Sequence, residues 1–346
     1  MKLRLCSRKE AAHADAVWAC TSTSTGCILT GSLDETVKSW NVAASGSDAA
    51  SLEEAHVYSG HGLGVVSLAS SPSSSASDTS APLCVSNALD SSIRVWDIAS
   101  HANIKTFNTP PGESWGVAMH PDNRHVYAAG GSTGALHIYD LTAPAGSENG
   151  IRMDKPVASV PLPKPGAAVL TSERKRQHYA MAVAVSPSAS RVACSAADGI
   201  VALYDTQANG GVPTLIATCE GHASPVRALC FVDNGRLLAT ASDDTHVHLY
   251  DAKTGALVEA MAGHDGWAVS VSADNADGGD SRYVLSTGTD GAVKLWDTDA
   301  RACVQTLKDS RGALWDACFV RTNDSRRFVA AVGEGKEVLL YEASTE

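Results

Sequence analysis

Four times along the chain a histidine, a hydroxyl and an aspartate recur in one order: His13, Thr30, Asp34; His61, Ser86, Asp90; His222, Thr240, Asp244; and His264, Ser286, Asp290. These are the residue types of a hydrolytic relay, in which a carboxylate orients an imidazole that takes a proton from a nucleophilic hydroxyl. Two further patterns invite chemistry. Gly130-Gly131-Ser132-Thr133-Gly134 fits the G-x-S-x-G nucleophile turn of hydrolases. His246-Val247-His248 sets two imidazoles on one strand face, as a zinc site does.

Repetition argues against catalysis, because a catalytic centre occurs once. In each set the hydroxyl stands four residues before the Asp and an aromatic six after it: Trp40, Trp96, Tyr250 and Trp296. A relay from Asp through imidazole and hydroxyl to an indole N–H satisfies buried polar groups that would be costly alone. No helical pattern follows the G-x-S-x-G segment, so a loop is expected there. No Cys or carboxylate cluster with ligand spacing accompanies the His pair, so surface histidines are expected. The sequence predicts no catalytic residue, no cofactor and no metal.

The elements that hold these residues follow from Gly31-Ser32-Leu33-Asp34-Glu35-Thr36-Val37-Lys38-Ser39-Trp40-Asn41-Val42, a tight turn feeding an alternating strand. Aligned on its aromatic, the pattern occurs at Trp40, Trp96, Tyr139, Tyr204, Tyr250, Trp296 and Tyr341, at intervals of 43 to 65 residues, the last three 45 or 46. That is the length of one four-stranded propeller blade, and there is no sustained helical stripe. The expectation is an all-β, seven-bladed propeller forming a single domain over residues 1–346. Its blades are expected at about 13–58, 60–107, 113–162, 179–219, 221–261, 263–308 and 313–343, the last completed by residues 2–6. Leu3 and Leu5 alternate with Lys2 and Arg4, and closing the ring with this strand removes exposed edges.

The formal net charge of −11 argues against a nucleic-acid backbone as the main partner. Nine cysteines, an odd count without a C-x-x-C pair, read as reduced residues of an intracellular protein; Cys20, Cys84, Cys194, Cys230 and Cys318 lie in apolar strand contexts. Met1 to Cys6 has no continuous apolar run, so no signal peptide or membrane anchor is expected. Asn323-Asp324-Ser325 fits a glycosylation acceptor but has no role in a chain that is not secreted. Segment 70–80, rich in serine, reads as a flexible loop, and 142–177 as a long connection carrying the basic run Arg174-Lys175-Arg176.

The Gly-His starts, turn Asp and Trp-Asp ends resemble WD-repeat proteins along essentially the whole chain. In that family the His, hydroxyl, Asp and Trp form a structural tetrad. Blades one, two and six carry all four members, and blade five has Tyr250 for Trp. Blades three, four and seven depart: Thr133 and Gly335 replace the Asp, and Ala129, Cys194 and Ala331 replace the hydroxyl. Those blades are expected to rely more on packing.

Four tryptophans are surplus to the repeat: Trp18, Trp115, Trp267 and Trp315. Trp18, Trp115 and Trp315 align with one another, and Trp267, three residues after His264, points the same way by strand period. The resemblance implies that these positions open onto the narrower top face, together with Leu33, Val66, Leu89, Tyr179, Met181 and Arg227. An apolar patch at such a mouth is a seat for a protein partner, and Trp, Tyr and Arg are the usual anchors. The alternative is that the indoles pack inward around the central channel.

More narrowly, Ala14-Asp15-Ala16-Val17-Trp18, Gly60-His61-Gly62-Leu63-Gly64-Val65-Val66-Ser67 and Leu89-Asp90-Ser91-Ser92-Ile93-Arg94-Val95-Trp96-Asp97 resemble the WD-repeat subunits of superkiller (Ski) complexes. Gly221-His222-Ala223-Ser224-Pro225-Val226-Arg227 and Val293-Lys294-Leu295-Trp296-Asp297 agree. The resemblance implies a non-enzymatic scaffold that holds a tetratricopeptide subunit beside an RNA helicase in exosome-linked 3'-to-5' mRNA decay. It also implies membership of the RNA-polymerase-II-associated factor complex, hence cytoplasm and nucleus. In yeast-like relatives the top face takes a Gln-Arg segment of a meiotic protein, and Trp115 and Trp18 are the positions to receive one here. No small-molecule substrate, membrane or direct nucleic-acid partner is expected. Two alternatives stand beside this: a generic adaptor such as a ubiquitin-ligase substrate receptor, and a propeller enzyme with a site at the channel mouth.

Overall fold

The computed structural model describes residues 1–45, 49–71, 82–143, 154–164, 178–208, 211–274 and 282–344. Residues 72 to 80 of the serine-rich segment, most of the 142–177 connection and Arg174-Lys175-Arg176 lie outside them.

Seven four-stranded antiparallel sheets follow one another around a ring. Their innermost strands are Val17–Ser22, Val65–Ser70, Val117–Met119, Ala180–Val185, Val226–Val232, Ala268–Ala273 and Leu314–Arg321. Six sheets take their strands in chain order. The seventh runs from Lys2–Lys9 through Val338–Ser344 and Arg327–Gly333 to Leu314–Arg321, so the amino-terminal strand is its outer edge. That strand is longer than the expected 2–6, because pairing resumes beyond a bulge after Leu5 and continues to Lys9 opposite Val338. The outer strand of blade one is Ala49–Tyr58, and that of blade three is Ala158–Pro161.

Closure is held by packing and polar contacts together. Leu3 is buried in a cluster with Leu285, Leu295, Val329, Leu339 and Tyr341. The Gln305 side chain clasps the backbone of Leu3, accepting from its N–H and donating to its carbonyl, each at 2.8 Å, which ties the strand to blade six. Arg8 pairs with the buried Glu337 at 2.9 Å. The repeated aromatics fill the space between blades: Trp40, Trp96, Tyr139, Tyr204, Tyr250, Trp296 and Tyr341 are all buried. Burying a ring of this size stabilises by roughly 1.5–3 kcal/mol, and the alternation of each strand directs it inward. All nine cysteines are free; Cys20, Cys84, Cys194 and Cys318 are buried and Cys303 is exposed.

Candidate functional site

The His, hydroxyl and Asp sets form relays that tie each blade together. In blade one, His13 contacts Asp34 at 2.9 Å and Thr30 at 2.8 Å, and the Trp40 indole donates to Thr30 at 2.8 Å. Blade two repeats this with His61, Ser86, Asp90 and Trp96, and blade six with His264, Ser286, Asp290 and Trp296. Each hydroxyl is thus held between an imidazole and an indole inside a sheet, where no substrate reaches it. Burial pushes the Asp34 carboxyl up, but hydrogen bonds from Thr36, the Ala14 N–H and His13 outweigh this and hold it below its ordinary value. Burial lowers His13 and His264, so both imidazoles favour the neutral form.

Where the pattern departs, the structure gives reasons. In blade three the turn is one residue longer: Val126 pairs with Tyr139, whereas Ile28 pairs with Trp40. The residue in the hydroxyl's place is therefore Ala128, not Ala129. The glycines of G-x-S-x-G build that turn. Gly131 has φ +48°, and a Cβ there would sit 2.0 Å from the Gly112 carbonyl oxygen. Blade four has a histidine outside the four sets read from the sequence: His178 lies 2.7 Å from Asp198. Its Nε2 is buried without a partner among the described residues, because Cys194 stands where other blades have a hydroxyl.

The expectation of surface histidines at His246 and His248 fails for His248. It is buried, stacked on His222 at 3.8 Å and hydrogen-bonded to Tyr250 at 3.0 Å. With Tyr in place of Trp, the phenol reaches the Glu220 carbonyl and His248 fills the space beside it. Burial and the neighbouring His222 lower His248 to about 4.

The second constellation lies on the channel wall. At the start of the inner strands the register slips by one residue, as between Val17 and Ala19, Val65 and Ser67, Val226 and Ala228, Ala268 and Ser270, and Leu314 and Asp316. A bulge re-aims the extra side chain. The residues so placed are Trp18, Val66, Met181, Arg227, Val269 and Trp315. Trp115 joins them, since its N–H and the Gly116 carbonyl both bond Ala129. All seven line one chamber of about 260 Å³.

Inside it the Trp18 and Trp315 rings lie 5.7 Å apart, and Trp115 meets Tyr179 edge-on at 6.0 Å. Asn87 fixes Trp115 by donating to its carbonyl at 2.7 Å. The Trp315 Nε1 is buried with no hydrogen-bond partner among the described residues. Below the indoles, Asp316 accepts from the Cys20 N–H at 2.8 Å and from Ser270, joining blades seven, one and six. Burial pushes its carboxyl up to about 6, against the hydrogen bonds from Ser270, Cys20 and Ala317.

Of the other residues expected on this face, Leu89 is exposed and Leu33 and Val66 are partly exposed. Met181 is buried, so little of it is available to a ligand. Trp267 is not in the indole row, whose member in blade six is Val269; it stands outside the chamber, 48 % exposed, with the Arg227 guanidinium 5.1 Å over its ring. Arg227 is also paired in two-pronged fashion with Asp243, so it arrives already neutralised. Sequence reasoning missed Asp316 and His178, and it passed over the His-x-Asp-x-x-His spacing of His120, Asp122 and His125.

Four stretches of the chain, 5–41, 52–97, 213–251 and 255–297, match the family "WD domain, G-beta repeat". The chain is 32 % identical over 236 residues to WD repeat-containing protein VIP3 of Arabidopsis thaliana, covering 67 % of this chain and 65 % of that protein, so it spans just under two thirds of that relative. It is 29 % identical over 258 residues to WD repeat-containing protein SL1-17 of Schistosoma mansoni, covering 73 % and 72 %. Human Striatin-4 matches at 24 % over 335 residues, 90 % of this chain but 39 % of Striatin-4. With seven four-stranded blades, buried tetrads and a ring closed by its amino-terminal strand, the chain is a seven-bladed β-propeller of WD repeats.

Proposed function

We propose that the chain is a non-catalytic scaffold whose indole-lined mouth seats a short segment of a protein partner. The observation that carries this reading is the placement of Trp18, Trp115 and Trp315 around one chamber, with the Trp315 N–H unpaired among the described residues. Indoles offer large, rigid contact area at low entropic cost, and a buried N–H without an acceptor favours a ligand that supplies a carbonyl. The same chamber carries Arg227 locked to Asp243, so the mouth has an apolar side and a polar side, which fixes the direction of a bound segment. An arginine in that segment has indole faces to stack on.

The finer reading is a WD-repeat subunit of the Ski complex, working in the cytoplasm beside a tetratricopeptide scaffold and an RNA helicase. A nuclear share belongs to the RNA-polymerase-II-associated factor complex. What supports it is the similarity of the Gly60 to Ser67 and Leu89 to Asp97 neighbourhoods to those subunits. The test is affinity purification from the native cell with wild type and Trp115→Ala, followed by identification of co-purifying chains. Recovery of a tetratricopeptide chain and a helicase with wild type, and their loss with the variant, is expected. Ubiquitin-ligase components in their place would overturn the finer reading, and unchanged recovery with the variant would overturn the mouth as the seat.

A further inference from the structure

The turn that leaves the inner strand of blade three, at the end away from the indoles, gathers two imidazoles and a carboxylate. His120 follows strand Val117–Met119, His125 opens strand His125–Ala129, and Asp122 stands between them. Their ligand atoms all lie within 4.8 Å of one another, and among the described residues this is the one such group of three. His120 Nδ1 is 3.0 Å from one Asp122 oxygen, and His125 Nδ1 is 2.6 Å from the other.

The Asp122 N–H lies 3.2 Å from His120 Nδ1. The same nitrogen faces an Asp122 oxygen 3.0 Å away, a separation that a proton on the imidazole or a cation held between the two atoms makes favourable. We propose that His120, Asp122 and His125 hold a single divalent cation of the Zn²⁺ type, bound through the two Nδ1 atoms and the carboxylate.

The surroundings suit that role. A metal-bound imidazole ordinarily donates its other N–H to a carboxylate, which fixes tautomer and ring orientation. His125 Nε2 points toward Asp140 at 4.0 Å, and Asp140 is itself gripped by Arg124 through bonds of 3.0 and 2.6 Å. The His120 ring is steadied by stacking on Tyr127 at 5.6 Å. A tetrahedral ion with bonds near 2.0–2.1 Å needs ligand atoms about 3.3 Å apart, so the two His–Asp contacts must open by less than about 1 Å and the wider pairs of the group, none beyond 4.8 Å, must close by up to about 1.5 Å. Imidazole donors select Zn²⁺-like ions over Ca²⁺ and Mg²⁺, which prefer oxygen. Three protein ligands leave a fourth position for water or a side chain of a bound partner.

The experiment is a Zn²⁺ titration of the full chain by calorimetry and chelator competition, with wild type, Asp122→Asn, His125→Gln and His56→Gln. Asp122→Asn keeps the turn-capping oxygen, and His56→Gln controls for adventitious imidazole binding at the stacked His56 and His101 pair. Thermal melts without metal establish that each variant folds. A crystal soaked in Zn²⁺ and read at the zinc absorption edge locates the ion. Expected are one ion beside His120 and His125, affinity lowered about tenfold or more in Asp122→Asn and His125→Gln, none lost in His56→Gln, and no competition from Mg²⁺. Absence of a bound ion, an ion located elsewhere, or equal affinity in the folded variants overturns the proposal.

Discussion

Replacing Asp316 by Asn isolates the cost of a charge placed under the indoles. The carboxyl titrates near 6 in the folded chain against 3.8 for the free group, because burial raises it more than its hydrogen bonds lower it. Between those values the folded state binds the extra proton, so stability falls as pH rises from about 4 to about 6, and the full cost persists above 6. A difference of roughly 2 pH units corresponds to about 3 kcal/mol as an upper bound. Asn keeps an oxygen for the Cys20 N–H and supplies a donor for Ser270, but it loses the charge-assisted strength of those bonds and turns its NH2 toward the Ala317 N–H, which donates at 2.9 Å to the same oxygen as Ser270. A net gain of up to about 2 kcal/mol at pH 8 follows, shrinking toward pH 4. At about 2.1 cal/mol/K of unfolding entropy per residue, a chain of 346 residues gains up to about 3 °C in melting temperature. Melts of both proteins from pH 4 to 8 supply the measurement. A variant less stable than wild type at pH 8, or a difference independent of pH, would refute the reasoning and make the carboxylate a net clamp.

Three other outcomes follow from the same geometry. Trp96→Ala removes a buried ring that donates to Ser86 and should cost about 3–5 kcal/mol, whereas Trp115→Ala should weaken partner capture and leave urea unfolding nearly unchanged; equal destabilisation would contradict the separate roles assigned to the two rings. Cys194→Thr copies blade five, where Thr240 meets His222 at 2.8 Å, and gives the stranded His178 Nε2 a partner; urea midpoints should rise by the equivalent of about 0.5–1.5 kcal/mol, and a fall would mean the methyl group does not fit. Leu3→Ala should cost about 2–4 kcal/mol by opening the closure seam, and an unaltered midpoint would show that the ring does not depend on that strand.

The recurrence of Asp, alternating β-branched residues and an aromatic was enough to count seven blades, because each blade must bury its own ring and cap its own turn within about 45 residues. The relays were legible for the same reason, since His13, Thr30, Asp34 and Trp40 are all furnished by one blade. The alternation of Leu3 and Leu5 likewise pointed to a closing strand, although where its pairing ends depends on a bulge.

What only the tertiary structure decided are contacts between blades and changes of register. Val269 rather than Trp267 completes the indole row because a bulge, which no periodicity reveals, sets which residue turns inward. Asp316 draws its partners from Cys20 and Ser270, 296 and 46 residues away, so no local pattern marks it. His248 looks like a surface strand residue until Tyr250, smaller than the usual Trp, leaves it a place against His222. Repeats fix what each blade must contain, because those needs are met within a few dozen residues of chain. The shape of the mouth they enclose depends on how seven of them close upon one axis.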